Sequence, residues 1–363
     1  MKKVLCILSN MNKGGAETFL MKIFRSLDKT KYSMDFCVTV NSKCDYEDEI
    51  IRLNGHIYRI TPKTVNTMRF KKELSELIKS NNYSSVLRIT SNGMGFLDLK
   101  IAKKNGVRKT IARSSNSSDG GSLKMRAANL VGRILWKRYI DEYVAPSDLA
   151  AIYTFGLKDY QKGKVHLLNN GLDFNYYKFS ESDRLRIRNE YNIHHDTVLI
   201  GHIGRFMEQK NHMFLVDIFA EYVKLNPNSK LFLVGEGELK YEIQRRIEEL
   251  NLEDFVHLLG VRSDIPAILS AIDVFVFPSL YEGMPNTVIE AEAVGVPCII
   301  SNTITKNVLL NDNIYFMDIK EKAKVWADKI TLINKDKQIP SQSFVNQYDI
   351  TNVVHNFCQI VFE

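Results

Sequence analysis

Residues 273–297 read DVFVFPSLYEGMPNTVIEAEAVGVP, and this stretch decides the fold. The β-branched and aromatic run at 274–277 predicts a buried strand that ends at Pro278. A loop rich in glycine, proline and asparagine follows, and a helical pattern then covers 287–294, with Gly295 as its stop. A strand, a short loop and a helix in this order are typical of an open parallel α/β sheet.

Two carboxylates lie in this stretch, Glu282 in the loop and Glu290 in the first turn of the helix. They follow the carboxyl end of a strand, where open α/β sheets bind their ligands. Carboxylate oxygens accept hydrogen bonds from hydroxyl groups, so the pair suits a ligand such as a sugar. Two other interpretations need no ligand: Thr287 and Glu290 have the spacing of a capping box, and Glu282 fits a solvated loop acid. The stretch alone does not decide between a ligand site and these two interpretations.

The chain has 363 residues, a length that predicts two domains. No apolar run approaches the roughly 20 residues that span a bilayer. The apolar run near the start is too short for a signal sequence and instead predicts a first strand. The five cysteines are scattered without metal-ligand spacing, which predicts reduced thiols in a cytoplasmic protein.

Positive charge is concentrated in the first half of the chain. Residues 1–180 carry a net charge of +15 and residues 181–363 carry −8, within a total of +7. Residues 122–139 interleave cations with large apolar side chains, which predicts a basic amphipathic helix able to lie on an anionic membrane surface. The alternative is a surface helix whose apolar stripe packs on its own domain. Nucleic acid is a poor candidate partner, because no binding-module motif is present and the second half is acidic.

Strand-like and helix-like runs alternate along the whole chain, which predicts parallel α/β sheets. In the first half, strands are predicted at 4–8, 34–40, 56–60, 86–90, 109–113 and 143–145. In the second half, strands are predicted at 197–204, 230–234, 255–259, 274–277, 297–301 and 314–317. A polar, turn-rich stretch at 169–183 predicts a linker, and 351–362 has the spacing of a terminal helix.

These patterns predict an α/β protein of two Rossmann-like, doubly wound domains. We expect a first domain of residues 1–172, with a terminal helix at 350–363 packing back on it, and a second domain of residues 173–349. Two such domains facing one another would form an interdomain cleft, which is a favoured ligand site.

Arg205 and Lys210 follow the strand predicted at 197–204 and precede a helix. Arginine offers a planar fork for phosphate oxygens, lysine a mobile charge, and the helix start free N–H groups. Two loop cations are ordinarily just solvated, but this pair is predicted at the same sheet edge as Glu282, so we interpret it as a diphosphate site. None of the eight histidines pairs with cysteine or carboxylate at metal spacing, so we interpret them as structural and predict no metal site.

In these residues and their spacing, the chain resembles the retaining glycosyltransferases of family 4, of the bacterial polysaccharide type, whose GT-B fold has two facing Rossmann-like domains. The resemblance covers most of the chain. It rests on GRFMEQKNH at 204–212, LVGEGEL at 233–239, the glutamate pair of YEGMPNTVIEAEAVGVP at 281–297, and GGAE at 14–17. The cationic and acidic segments are specific together, whereas GGAE is supportive only.

The resemblance implies a donor site in the second domain. Arg205 and Lys210 would bind the donor diphosphate, and Gly15 of the first domain would approach it. Glu290 would bind the nucleotide ribose, and Glu282 would hold the donor sugar. Further donor contacts would come from Gly283, Met284, Pro285, Asn286 and Thr287, with Val261 and Arg262 as looser candidates for the base pocket.

The acceptor side implied by the resemblance contains Glu17, Arg113 and Asn116. Members of the family often have a His-Ser-His-Asn sequence after a first-domain strand, whereas residues 113–116 here are Arg-Ser-Ser-Asn. The histidine expected near the donor sugar is therefore missing from this chain.

The resemblance implies a retaining enzyme that moves a hexose or N-acetylhexosamine from a nucleotide diphosphate sugar to a lipid-linked glycan acceptor in surface polysaccharide synthesis. A UDP-sugar is favoured over a GDP-sugar, and neither a cofactor nor a metal would be needed. We expect the protein in the cytoplasm, peripheral on the inner face of the cell membrane. Two alternatives stay open: a nucleotide-sugar 2-epimerase of the same fold, and a catalytically silent GT-B partner protein, which the departure at Arg113 and Ser115 supports.

Overall fold

The computed structural model describes residues 1–115, 123–282 and 284–363. The chain divides into two compact units: unit 1 holds residues 1–171 and 347–363, and unit 2 holds residues 172–346. No helix within the described residues is both long enough and apolar enough to span a bilayer. The five cysteines are buried and form no disulfide, as the sequence predicts.

The sheet of unit 1 is formed by β1 (Lys2–Ile7), β2 (Tyr32–Val38), β3 (Ile57–Arg59), β4 (Ser85–Thr90), β5 (Lys109–Ser114), β6 (Glu142–Ala145) and β7 (Val165–Leu167). The strands lie in the order β3-β2-β1-β4-β5-β6-β7, and all neighbouring pairs are parallel. The helices of this part of the chain are α1 (Gly15–Ser26), α2 (Glu47–Arg52), α3 (Thr67–Asn81), α4 (Phe96–Lys104), α5 (Leu123–Trp136), α6 (Asp148–Phe155) and α7 (Leu157–Gln161).

Strand β1 shows why the unit forms a covered parallel sheet. Its residues 4–7 are all fully buried, as expected for a strand with helices on both faces, so the sequence is a continuous apolar run rather than an alternating one. One face of the sheet packs on α1 through Phe19 and Phe24. The other face packs on α3 and α4 through Phe70 and Phe96.

The sheet of unit 2 is formed by β8 (Val198–Ile203), β9 (Ser229–Val234), β10 (Val256–Gly260), β11 (Val274–Phe277), β12 (Cys298–Ser301) and β13 (Ile314–Met317). The strands are parallel in the order β10-β9-β8-β11-β12-β13. The helices of this part of the chain are α8 (Glu181–Glu190), α9 (His212–Leu225), α10 (Lys240–Glu249), α11 (Ile265–Ala271), α12 (Asn286–Ala293) and α13 (Ala323–Leu332). The strand order reverses between β8 and β11, so the loops that follow these two strands meet at one edge of the sheet.

Two helices end the chain, α14 (Gln342–Tyr348) and α15 (Ile350–Phe362). Helix α15 packs on unit 1. The ring of Phe357 lies 6.2 Å from that of Phe19 in α1, edge to face, and Phe362 stacks on Tyr32 at 4.5 Å. The terminal helix predicted at 351–362 is therefore confirmed.

Every strand predicted from the sequence overlaps an observed strand, because most of them are buried apolar runs, although β3, β10 and β13 are only partly buried. Strand β7 was not predicted, since it has three residues and Leu167 is exposed. The linker predicted at 169–183 is wrong at its end, because α8 begins at Glu181. Ser180 caps that helix by accepting a hydrogen bond from the backbone N–H of Asp183 at 3.2 Å.

Candidate functional site

The loop after β8 carries the two cations predicted to bind a diphosphate. Arg205 is exposed, and Lys210 ends a single 3₁₀ turn and is mostly buried. Helix α9 begins directly afterwards at His212, and its N-cap residue Asn211 is left-handed (φ 57°) and makes no side-chain capping hydrogen bond. The first N–H groups of α9 are thus not capped by Asn211, and a helix start of this kind binds anions.

Two glycines let the loop after β9 come close to the loop after β8. A Cβ atom on Gly235 would lie 2.1 Å from the carbonyl oxygen of Gly204, and one on Gly237 would lie 2.2 Å from that of Phe206. Gly235 also has φ 143°, a conformation that side chains disfavour. The segment LVGEGEL therefore packs directly against the loop that carries Arg205, and no larger residue fits at either glycine.

Hydrogen bonds join the loop after β8 to the loop after β11. The backbone N–H of Leu280 donates to the carbonyl oxygen of Gln209 at 2.9 Å, and Gln209 Nε2 donates to the carbonyl oxygen of Tyr281 at 2.8 Å. Asn211 Nδ2 donates to the carbonyl oxygen of Pro278 at 3.2 Å. The cationic segment and the acidic segment of the sequence thus lie side by side in unit 2.

Lys210 and Glu282 form an ion pair within this arrangement. Lys210 Nζ lies 2.7 Å from Glu282 Oε1, and the two side chains are 17% and 10% exposed. Lys210 Nζ also lies 4.7 Å from the centre of the Phe277 ring. The structure therefore brings together the cation and the carboxylate that the sequence places at one sheet edge, while the ligands assigned to them stay predictions.

The start of α12 does not form the capping box that the sequence allows. The helix begins at Asn286 after an N-cap at Pro285 that makes no side-chain hydrogen bond, so Thr287 lies inside the helix. Among the described residues, Thr287 Oγ1 is buried without a hydrogen-bond partner. Met284 and Pro285 are buried, and Gly283 lies outside the described residues. The capping-box interpretation is wrong, and a polar atom is left at this helix start.

Glu290 of α12 contacts Tyr177, a residue that sequence reasoning missed. The Tyr177 hydroxyl donates a hydrogen bond to the Glu290 carboxylate, and burial followed by this negative charge raises the pKa of Tyr177. Tyr177 packs edge to face on Tyr176 with ring centres 5.1 Å apart, and Tyr176 Oη donates to the carbonyl oxygen of Ser263 at 3.1 Å. The signal in the sequence was two adjacent aromatic residues inside the polar stretch interpreted as a linker.

Val261 and Arg262, the candidates for the base pocket, follow β10. Val261 is exposed. The Arg262 guanidinium is held by two carboxylates: Nε lies 2.9 Å from Asp264 Oδ1, and Nη1 lies 2.9 Å from Glu190 Oε1. Hydrogen bonds from Arg262 lower the pKa of Asp264 to about 2. Arg262 is thus engaged by protein groups, and its contact with a base stays a prediction.

His202 and His212 lie buried beneath the Arg205 loop, with ring centres 4.7 Å apart. His202 Nδ1 pairs with the carbonyl oxygen of Val276 at 2.9 Å. Burial lowers the pKa of His202 well below its ordinary value and that of His212 to about 3, so both rings are neutral at physiological pH. Within the described ranges, no group of three or more histidine, cysteine, aspartate and glutamate residues could hold a metal ion.

The GGAE segment of unit 1 opens α1. Gly15 is the first residue of the helix and is exposed. The Glu17 carboxylate folds back over Gly14, because a Cβ atom placed there would lie 2.4 Å from Glu17 Oε2. Partial burial raises the pKa of Glu17 above its ordinary value. Gly15 is thus accessible to a ligand, and its approach to a diphosphate stays a prediction.

Arg113 of unit 1 is a buried cation in β5, with 2% of its surface exposed. Its Nη2 donates to Asn170 Oδ1 at 2.6 Å, and the guanidinium carbon lies 3.8 Å from the centre of the Phe19 ring. Burial lowers the pKa of Arg113 to about 9. The described contacts of Arg113 are therefore with its own unit, while Asn116 lies outside the described residues.

The sequence of the chain matches one family of known proteins. Residues 183–348 match the family model described as glycosyl transferases group 1. A protein of Bacillus subtilis (strain 168) named glycosyltransferase EpsF is 35% identical over 334 residues, which is 91% of this chain and 87% of that protein.

Two further proteins are similar to this chain. The first is UDP-Gal:alpha-D-GlcNAc-diphosphoundecaprenol alpha-1,3-galactosyltransferase of Escherichia coli. It is 34% identical over 153 residues, or 41% of this chain and 39% of that enzyme. The second is a solved structure, Alr3699/HepE of Anabaena in complex with UDP-glucose. The match covers 99% of each chain with a TM-score of 0.80. The two sequences are 20% identical, so the likeness is one of fold.

Proposed function

The chain belongs to the glycosyl transferases of group 1 and has the GT-B fold, and we propose that it is a retaining enzyme acting on a nucleotide diphosphate sugar. It moves a hexose or N-acetylhexosamine to a lipid-linked glycan in surface polysaccharide synthesis. The observation that carries this proposal is the contact of Lys210 with Glu282, because it joins a group suited to phosphate with a group suited to sugar hydroxyls.

The cationic side of the site acts on the leaving group. When the anomeric C–O bond of the donor breaks, negative charge grows on the departing diphosphate and positive charge on the sugar. Arg205, Lys210 and the uncapped start of α9 then stabilise the diphosphate where its charge develops. We assign this stabilisation to the cations of the chain itself, so that the reaction needs no metal ion.

The acidic side of the site holds the sugar and the nucleoside. Glu282 accepts hydrogen bonds from hydroxyl groups of the donor sugar, and the backbone of residues 283–287 contributes further hydrogen bonds, with Thr287 Oγ1 as a further polar atom. Glu290 accepts hydrogen bonds from the ribose hydroxyls. Tyr177 orients the Glu290 carboxylate through its own hydroxyl, and the exposed Val261, with Arg262 beside it, follows β10 and borders the base pocket.

Retention of the donor configuration requires the acceptor to attack from the face that the diphosphate leaves. We assign no residue as the base, because a phosphate oxygen of the departing diphosphate can take the acceptor proton on that face. The oxocarbenium-like sugar is then flanked by Glu282 and the diphosphate, both of which favour its positive charge.

A UDP-sugar is the donor that we favour over a GDP-sugar. The Anabaena protein that shares the fold binds UDP-glucose, and the Escherichia coli relative is named for a UDP-galactose donor and an acceptor on diphosphoundecaprenol. An acceptor on a lipid diphosphate also fits the net charge of +15 of residues 1–180. We therefore place the enzyme on the inner face of the cell membrane as a peripheral protein.

A thermal-shift panel of UDP-sugars and GDP-sugars tests the donor, because a ligand bound to the folded state raises its melting temperature. The expected result is a shift with UDP-sugars, followed by transfer to a lipid-linked glycan with the anomeric configuration kept. An isomerised donor sugar formed without acceptor would establish the epimerase alternative, which the named relatives do not support. If no nucleotide sugar binds, the alternative that remains is a catalytically silent GT-B partner protein.

A further inference from the structure

Helix α5 attaches to unit 1 along most of its length through small and polar residues, and at its end through Trp136. Gly132 faces the backbone of Gly93 so closely that a Cβ atom on Gly132 would lie 2.1 Å from the carbonyl carbon of Gly93. Asn129 Oδ1 accepts a hydrogen bond from the N–H of Gly93 at 2.8 Å, and Asn129 Nδ2 donates to the carbonyl oxygen of Tyr153 at 2.7 Å. These two residues are the buried ones of α5. Trp136 at the end of the helix also packs against the core of unit 1, whereas Leu123, Leu130, Val131 and Ile134 are exposed.

The apolar stripe of α5 lies on the opposite side and faces solvent. Leu123, Leu130 and Ile134 are 76%, 55% and 72% exposed, and their spacing of i, i+7 and i+11 places them on one face of a helix. Val131, the neighbour of Leu130 on that side, is 44% exposed. Scattered exposed apolar residues are ordinary, but a contiguous stripe along one helix marks an interaction surface.

Cations border this stripe. Lys124 and Arg126 of α5 are exposed, as is Arg138 in the turn that follows the helix. Helix α4 packs against α5, and Lys104 at its end is also exposed. An apolar stripe with cations along its margins suits an interface in which an apolar phase meets negative charge.

Resting on the function proposed above, which calls for an acceptor held at a membrane, we propose that the outer face of α5 docks on an anionic lipid surface. Leu123, Leu130, Val131 and Ile134 enter the boundary between headgroups and acyl chains, and the bordering cations bind the lipid phosphates. The helix lies in the plane of the interface and is anchored to unit 1 by Asn129 and Gly132.

Charge decides between a membrane and a second copy of the chain. Self-association through this face would bring Lys124, Arg126 and Arg138 of one copy towards the same cations of the other, and like charges across an interface are repulsive. An anionic bilayer offers the opposite charge beside an apolar interior. The surface therefore matches lipid on both counts.

Co-sedimentation of the full chain with vesicles tests the proposal. Equal parts of phosphatidylglycerol and phosphatidylcholine are compared with phosphatidylcholine alone, for the wild type and for the double variant L130S/I134S. Leu332→Ser is the matched control, because Leu332 of α13 is 78% exposed and lies in unit 2. The wild type and the control are expected to bind the anionic vesicles, and the double variant to lose at least about tenfold in affinity.

A charge variant separates the two contributions. Lys124→Gln is expected to weaken binding about fivefold, and raised salt to weaken binding of the wild type further. Equal binding by wild type and L130S/I134S, or binding that ignores phosphatidylglycerol and salt, would overturn the proposal. Failure of the wild type to bind vesicles would also overturn the proposal. This includes the outcome in which the wild type self-associates and L130S/I134S abolishes that self-association, because the face would then join two copies of the chain.

Calorimetry with UDP on the same proteins keeps the proposal separate from the enzymatic function. The double variant is expected to bind UDP as the wild type does, which also shows that it is folded. If the wild type binds anionic vesicles but no nucleotide, the donor site has failed and the membrane surface stands. If the wild type binds UDP but no vesicles, the proposed membrane surface has failed and the donor site stands.

Discussion

Lys210 Nζ lies 2.7 Å from Glu282 Oε1, although the two residues are 72 positions apart in the chain. The pair connects the loop after β8 with the loop after β11, and both side chains are mostly buried. Removal of either partner takes the opposite charge away from an ion in a poorly solvated place, so substitutions here act on binding and on stability together. Any test of Glu282 must therefore separate sugar recognition from the integrity of the site.

Glu282→Ala is expected to lower kcat/KM for sugar transfer at least about tenfold more than it weakens binding of free UDP. The reason is that the carboxylate is assigned to the sugar, and loss of a charged hydrogen-bond partner costs about 1.5–3 kcal/mol. Steady-state kinetics and calorimetry measure the two quantities. Glu249→Ala serves as the control, since Glu249 pairs with Arg245 on the surface of α10. Equal losses in transfer and in UDP binding would reject the assignment.

Arg205→Ala is expected to reduce kcat by about 10²–10³-fold at saturating donor, the effect typical of losing one preorganised donor to a developing negative charge. Arg205 is exposed, so the substitution should leave the fold intact. Arg245→Ala removes a comparably exposed arginine from α10 and should change nothing. Near-normal turnover of Arg205→Ala with the donor saturating would mean that this arginine does not act on the diphosphate.

Tyr177→Phe is expected to weaken UDP binding about fivefold, because it removes one hydrogen bond, worth about 1 kcal/mol, that orients the Glu290 carboxylate. Inorganic pyrophosphate has no ribose, so its binding should be unchanged. Tyr241→Phe is the matched control, since Tyr241 is 73% exposed. Calorimetry with both ligands gives the comparison. An equal loss for UDP and pyrophosphate would show that Tyr177 acts on the site as a whole and not through the ribose contact.

All strands except β7 could be predicted from the sequence, because strands covered on both faces are mostly continuous apolar runs bounded by turn residues. The same reasoning placed Arg205, Lys210 and Glu282 at strand ends. Their contact needed one further fact, that β8 and β11 are neighbours in the sheet, and this follows from the strand order. A strand order that reverses between these two strands brings their following loops together.

Other features were not readable from the pattern. The contact of Tyr177 with Glu290 joins residues far apart in the chain, and the polar stretch around Tyr177 predicts only a linker. In α5 the pattern shows an apolar stripe but not which side the domain uses. The face of α5 that packs on unit 1 is set by the contacts of Gly132 and Asn129 with Gly93. The spacing of apolar residues in the sequence does not reveal backbone contacts of this kind.

The pH dependence of stability tests the buried histidines under the Arg205 loop. Below about pH 6.5 the unfolded chain protonates His202 and His212, whereas burial keeps the folded pKa of His202 far lower and that of His212 at about 3. The unfolded state therefore binds more protons as the pH falls from about 6.5 towards 3, and stability is lost in that window.

Each histidine contributes a slope of about 1.4 kcal/mol per pH unit to the free energy of unfolding in that window. His212→Met fills a similar volume, removes two ring nitrogens that have no partner among the described residues, and should reduce the slope by that amount. Denaturant unfolding of the wild type and variant between pH 6 and pH 4 measures it. His195→Met, at an exposed position, is the matched control for the substitution itself. If His212→Met has the wild-type slope, then His212 gains its proton in the folded protein as readily as in the unfolded chain, and the ring is not held neutral by burial.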